Sequence, residues 1–165
     1  PLQLAVYAST LANQGVRYKA TFLNRVTSSD YRTLVYSNSP EIVSEMKISD
    51  TTYATYVDGM RRVVTMPGGT ATTCFGGPKD EDGPQWPSKI TVCAKTGTAQ
   101  HSSGGSDHGA FVCFAPMEDP EIAIAIFGEK VAHGSSMAPV AEPILKAYFE
   151  AVDASEVYTY ENQLS

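Results

Sequence analysis

The stretch VCAKTGTAQ, Val92 to Gln100, runs from apolar residues into Lys95 and then into two threonines around a glycine. Residues of these types suit one task. A lysine supplies a positive field. Threonine hydroxyls donate to an anion's oxygens. A glycine leaves a strand face bare, so a ligand backbone can lie close against it. A backbone N–H facing the cleft can then stabilise an oxyanion. Lys95, Thr96, Gly97 and Thr98 therefore suit the clamping of a carboxylate. On the tetrapeptide alone, a solvated strand end with threonine present for its β propensity remains the competing account. A phosphate loop is excluded, because it needs GxxxxGK[ST] between a strand and a helix. Here the glycine follows the lysine and no helical pattern comes next.

Other candidate groups carry less. His101 and His108 flank the glycine-rich segment HSSGGSDH, and His133 sits in a later connection. Imidazole can act as a general base, but a polar loop residue or a strand-end hydrogen bond is the plainer account of each. Cys74, Cys93 and Cys113 are odd in number and sparse, which is not a disulfide framework. Cys93 and Cys113 fall in predicted strands, where free cysteine behaves as a small buried hydrophobe. Taken with His101 and His108, they match no C-x-x-C or H-x-x-x-H spacing, so no metal or cofactor is expected. Trp86 either lines a groove or closes its loop over the core.

The elements that must position these residues follow from periodicity. Pro1 to Asn13 reads as a helix, with Leu4, Ala5, Ala8, Leu11 and Ala12 at helical spacing and Gly15 just past the end. Arg17–Val26 and Tyr31–Tyr36 read as two strands around the turn Thr27–Asp30. Ser37–Ser49 is mixed, with Pro40 opening a short helical piece. Asp50 caps a stronger helix, Thr51–Thr65, whose stripe is Tyr53, Tyr56, Val57, Met60, Val63 and Val64. Pro67-Gly68-Gly69 ends it. Cys74–Ser88 is a long loop rich in glycine, proline and acid. Three strands follow, Lys89–Gln100, Gly109–Ala115 and Glu121–Glu129, and their short connections require antiparallel neighbours. Ser136 caps a last helix, Met137–Val152, and residues 153–165 form a polar tail. The predicted class is α+β, an antiparallel sheet covered by helices.

The chain has 165 residues, which suits one domain or part of a larger one. Its 42% hydrophobic content excludes disordered and fibrous classes. Twelve basic residues against eighteen acidic give −6 with no basic run, which argues against nucleic-acid binding. The longest apolar run, Ile122–Phe127, is far too short to span a membrane. No signal peptide or lipidation motif is visible, and the start at Pro1, without methionine, reads as a cut from something longer.

Taken together, these segments resemble the C-terminal half of the transpeptidase domain of class B penicillin-binding proteins. PLQLAVYASTLANQG (Pro1–Gly15) is similar to the family's T-P-L-Q helix. VDGMRRVV (Val57–Val64) with GGTAT (Gly68–Thr72) is similar to the helix and link before its K-T-G strand, which is AKTGTAQ (Ala94–Gln100) here. DHGAFVCFAP, PEIAIAIFGEK and APVAEPILKAYFE follow in the family's order. K-T-G accompanies S-x-x-K and S-D-N in related penicillin-recognising enzymes. Ala94 departs from the glycine that many members carry.

The resemblance implies a partial transpeptidase-like fold over residues 1–152. It implies an enzyme that acts on the D-Ala–D-Ala end of peptidoglycan stem peptides through a serine acyl-enzyme, and that β-lactams trap. By position, Lys95 belongs to the polar network beside the nucleophile and Thr96 and Thr98 hold the terminal carboxylate. Gly97 leaves the strand bare, and the Thr98 N–H is one oxyanion donor. It further implies an extracytoplasmic site, with the longer parent anchored in the cytoplasmic membrane by an N-terminal segment. The spacing into DHGAFVCFAP leans toward the elongation type. A β-lactam sensor and a non-catalytic binding or assembly module are the rival readings.

The family's nucleophile needs serine and lysine one helical turn apart, so that the lysine reaches the hydroxyl. The S-x-x-K string that precedes Lys95 is Ser44-Glu45-Met46-Lys47. It lies downstream of the T-P-L-Q-like helix instead of upstream, in polar surroundings, and is read as a chance match. No S-x-N string precedes Lys95. The expectation is one wall of a cleft, with the catalytic serine in a missing N-terminal part, and no activity from these residues alone.

Overall fold

A computed structural model describes residues 1–75, 90–100 and 105–161, with side chains through residue 151. The loop expected over Cys74–Ser88 starts instead as the end of a short helix, Thr72–Phe75; its residues from 76 onward, with Trp86, the beginning of the Lys89 strand and His101, lie outside the described residues.

The centre is a three-stranded antiparallel sheet in the order β5 (Cys93–Ala99), β6 (His108–Ala115), β7 (Ile122–Gly128). In register, Cys93 faces Phe114, Lys95 faces Val112 and Thr98 faces Gly109. Successive side chains in a strand point to opposite faces, and the burial follows that rule. Cys93 and Phe114 join Ala12, Val57 and Met60 in one core. Ala94, Phe111, Cys113 and Ala115 join Phe75, Ala138, Ala141, Leu145 and Phe149 in the other. Helices α1 (Leu2–Ala12) and α2 (Asp50–Thr65) thus supply one layer, and α3 (Thr72–Phe75) and α4 (Ala138–Glu161) the opposite one. The α+β arrangement with a helix-covered antiparallel sheet is as expected.

Helix α1 stops where Gly15 takes φ +98, and a Cβ there would meet the Met46 carbonyl oxygen at 2.3 Å. Two of the last carbonyls of α1, where intrahelical partners run out, accept from α2. The Tyr53 hydroxyl donates to the Ala12 carbonyl at 3.1 Å, and Tyr56 donates to Leu11 at 2.7 Å. The predicted stripe of α2 is therefore the buried one, with Val57, Met60 and Val64 innermost.

Several boundaries differ from expectation. Ser49, not Asp50, caps α2, its Oγ accepting from the Thr52 N–H. The expected Arg17–Val26 strand is two short ones, β1 (Val16–Tyr18) and β2 (Arg25–Thr27). β2 pairs with β3 (Leu34–Ser37), as the predicted hairpin requires. β1 instead pairs with β4 (Ile42–Glu45), where a helical piece was expected after Pro40. The β-branched pair Ile42-Val43 suits a strand, and its partner lies too far back in sequence for periodicity to find. A 3-10 turn, Gly134–Met137, takes the place of the Ser136 cap, and α4 continues to Glu161.

Candidate functional site

Strand β5 begins in the core and ends at the surface. Cys93 and Ala94 are fully buried. Lys95, Gly97 and Thr98 are exposed and Thr96 is half-buried. The change occurs because the helix layers cover only the start of the strand, and because β5 is an edge with β6 on one side. The pleat places Thr96 and Thr98 on the face of Ala94, and Lys95 and Gly97 on the face of Cys93. The structure thus brings all four expected residues to one open edge.

Each hydroxyl is braced by the protein. The Gly134 N–H donates to Thr98 Oγ1 at 3.1 Å. With that lone pair taken, the Thr98 proton remains available to an outside acceptor. Thr96 Oγ1 lies 2.9 Å from Thr70 Oγ1. Lys95 folds its Nζ onto the Thr96 carbonyl at 2.5 Å. Among the described residues no carboxylate forms an ion pair with Lys95; the pairs present are Lys19–Glu41, Asp58 with Arg61 and Arg62, and Glu142–Lys146.

The two glycines near the site differ in what they must accommodate. A Cβ on Gly134 would meet the Gly97 carbonyl oxygen at 2.1 Å and the Gly97 nitrogen at 2.7 Å. The turn therefore lies directly on the β5 backbone, and only glycine fits. A Cβ on Gly97 would meet just the Ala110 Cβ, at 3.8 Å, an ordinary contact. Nothing inside the described chain demands glycine at position 97.

The other candidates are placed away from this edge or tied into the fold. His108 Nδ1 accepts from the Lys130 N–H at 3.2 Å, and its ring lies 5.8 Å from that of Phe127, as a strand-end residue should. His133 precedes the 3-10 turn and is exposed. Burial pushes the Cys93 and Cys113 thiols up to about 12, which leaves them inert near neutral pH. Ser44 is on exposed β4, accepting from Arg17 Nε at 3.1 Å. A strand sends residues three apart to opposite faces, so Ser44 and Lys47 lack the one-turn helical geometry the nucleophile pair needs. A groove of about 780 Å³ between α1 and the β1–β4 pair includes Ser44, Tyr7, Tyr18 and Met46 but none of residues 95–98. Sequence reasoning missed Thr70 and Gly134. GGTAT was visible as a link, but only the fold brings Thr70 to Thr96.

Comparison with known proteins agrees with the fold. Residues 1–150 match the penicillin binding protein transpeptidase domain family. Penicillin-binding protein 2A of Bacillus subtilis is 32% identical over 139 residues, covering 76% of this chain and 18% of that protein. Peptidoglycan D,D-transpeptidase MrdA of Acinetobacter baumannii is 42% identical over 67 residues, covering 32% of this chain and 10% of that protein. Among solved structures, the D,D-transpeptidase domain of a peptidoglycan glycosyltransferase from Eggerthella lenta superposes with a TM-score of 0.67 at 28% identity, covering 91% of this chain and 32% of that one. The chain spans less than a quarter of the length of these two curated relatives. With a family match over nearly its whole length and a fold to agree, the chain belongs to the penicillin-binding protein transpeptidase family, in its class B branch.

Proposed function

We propose that this chain supplies the carboxylate- and oxyanion-binding wall of a peptidoglycan D,D-transpeptidase, and that the catalytic serine comes from residues outside these 165. The observation that carries the reading is the open edge of β5, where Lys95, Gly97 and Thr98 are exposed and Thr96 half-buried, both hydroxyls braced from behind.

The chemistry follows from the groups. The stem peptide ends in a D-Ala carboxylate, an acceptor-only group. Thr96 and Thr98 donate to its oxygens, and Lys95 adds a positive field on the nucleophile's side. With the peptide laid along Gly97, the serine hydroxyl attacks the carbonyl of the penultimate D-Ala. Its proton passes to a neighbouring base, and the Thr98 N–H stabilises the resulting oxyanion. Collapse breaks the peptide bond and releases D-Ala. An amine from a neighbouring stem peptide then attacks the ester, restores the serine and leaves a cross-link. β-Lactams present a carboxylate and a strained amide in the same arrangement, and form an ester that persists. The site works on the extracytoplasmic face of the membrane, where the substrate is, with the longer protein anchored there.

The reading makes these residues inactive alone, because S-x-N is absent and Ser44 and Lys47 lie on and beyond a strand. Loss of a nucleophile removes most of the rate even when the binding groups remain. A fluorescent penicillin separates the alternatives. The full-length protein should label covalently and the 165-residue chain should not. Labelling of the short chain that disappears in Ser44→Ala would overturn the proposal.

A further inference from the structure

The hydroxyl of Thr70 approaches that of Thr96 at 2.9 Å, although twenty-six residues separate them in sequence. Both side chains are accessible, and an accessible hydroxyl pair is ordinarily a weak contact. What sets this one apart is the mount behind it. The backbone on either side of Thr70 is fixed to the C-terminal turn of α2. The Gly69 N–H donates to the Met66 carbonyl at 2.8 Å, and the Ala71 N–H donates to Val63 at 3.1 Å. Ala71 is fully buried. A Cβ on Gly69 would meet the Val63 carbonyl oxygen at 2.5 Å and that of Arg62 at 2.8 Å, so no side chain fits there and the backbone packs directly against the end of α2. The Thr72 hydroxyl closes the turn on the Gly69 carbonyl at 3.0 Å. An exposed hydroxyl therefore stands on a rigid, buried support and meets one of the two threonines of the clamp.

We infer that Thr70 is a positioning residue, whose hydroxyl donates to Thr96 Oγ1 and so directs the Thr96 proton at the carboxylate of the bound peptide or β-lactam. The inference rests on the carboxylate-clamp reading above. Without an anion, either oxygen of the pair can be the donor. A carboxylate only accepts. Once it sits at Thr96, the Thr96 proton must go to it, and Thr70 must supply the proton that Thr96 Oγ1 accepts. The result is a one-directional chain from Thr70 through Thr96 to the anion, in which each bond polarises the next. The Gly134 N–H does the same for Thr98 from the backbone. Each clamp hydroxyl thus has one donor behind it and its own proton forward.

The test uses the full-length protein and two acylating ligands that differ at one group, a penicillin with its free carboxylate and the methyl ester of the same compound. The readout is the ratio of their acylation rate constants, with the thermal midpoint of each variant measured alongside. Thr96→Val and Thr98→Val should pull the ratio toward one. Thr70→Val should lower it by about fivefold to tenfold, the worth of one well-placed hydrogen bond, by slowing the carboxylate ligand alone. Thr70→Ser should restore it. Thr70→Val added to Thr96→Val should change nothing further, because the two act through one hydroxyl. Thr70→Ala repeats the measurement should the valine variant fold poorly. If Thr96→Val lowers the ratio and the Thr70 variants do not, the positioning role is wrong and the clamp stands. Equal slowing of acid and ester in Thr70→Val means a structural role only and also overturns it. Were Thr96→Val and Thr98→Val both to leave the ratio unchanged, the clamp itself would fall.

Discussion

Strands β3 and β6 contain similar residues and meet opposite fates. β3 is Leu-Val-Tyr-Ser, and all four residues are exposed. β6 carries Phe-Val-Cys-Phe-Ala, Phe111 to Ala115, and all five are buried. Propensity for a strand is present in both. What differs is the layering. β6 is the middle strand of three, with α1 and α2 on one face and α4 on the other. Among the described residues β3 has one partner strand, and an isolated two-stranded pair is marginal in water. The candidate site lies where the first condition gives way to the second, at the point on β5 where helix cover ends.

The largest test of this contrast is a pair of aromatic truncations. Phe114 is fully buried, and Phe22, in the β1–β4 region, is 92% exposed. Phe114→Ala should cost about 3–5 kcal/mol, the usual range for a buried phenylalanine. Phe22→Ala should stay within about 0.5 kcal/mol. Urea denaturation of the two variants gives both numbers. Comparable costs would mean that the short-stranded region has a core of its own.

Gly134→Ala is next in size. Its new methyl collides with the backbone of Gly97 and with the Ala110 carbonyl oxygen at 2.8 Å, atoms held in the β5–β6 ladder. An overpacked site of this kind costs about 1–3 kcal/mol. The same change should also loosen the Thr98 hydroxyl, since the N–H that holds it must move. A midpoint unchanged in urea would show that the turn does not bear on the strand.

What the sequence revealed, and what it withheld, follows the same division. Lys95, Thr96, Gly97 and Thr98 were legible because their types and adjacency carry the chemistry, and a local motif survives without knowledge of the fold. The stripe of α2 was legible because apolar residues at a helical period face one layer. The pairing of β1 with β4 was not, because Val16 meets Glu45 across a long intervening segment and neither strand has a buried face to print a pattern. Ser49 and Asp50 are both good caps, and only the backbone at Ser49, at ψ 152, shows which one turns the chain into α2. Gly134 gave no sign of its importance, since its constraint comes from a carbonyl thirty-seven positions back at Gly97. Thr70 was hidden for the same reason.

A smaller effect separates the two faces of the sheet from solvent chemically. Cys113 sits among buried residues, and burial raises its thiol from 9.0 to about 12. Between those values the unfolded chain releases a proton that the folded chain keeps, so the unfolded state gains and stability falls as pH rises. By pH 10 the loss from this thiol is about 1 kcal/mol. Tyr56, its phenol raised by burial to about 12, adds to the fall at still higher pH. Cys93, raised by burial to the same value, adds a similar fall, so urea midpoints at pH 8 and pH 10 should show the decline and Cys113→Ala should remove roughly half of it. A thiol reagent at pH 8 should leave Cys93 and Cys113 unmodified until the protein is unfolded.

The smallest expected change in stability is also the most informative about the open edge. Gly97 has room for a methyl group on the inside, with the Ala110 Cβ at 3.8 Å as its nearest neighbour. Gly97→Ala should therefore fold with a stability within about 0.5 kcal/mol of the parent, since a mid-strand glycine contributes little of its own. Packing gives no reason for a glycine, so any selective effect of the methyl must come from outside the fold, where a ligand backbone lies against β5. In the full-length protein the variant should lose acylation by penicillin by about tenfold or more while its urea midpoint holds, because a ligand backbone displaced by a methyl group leaves the reactive geometry. Substitution of Ala99, one pleat further along the same exposed strand, should leave both quantities near the parent. If Gly97→Ala acylates normally, no ligand approaches this face, and the exposure of β5 is merely the end of a strand in water.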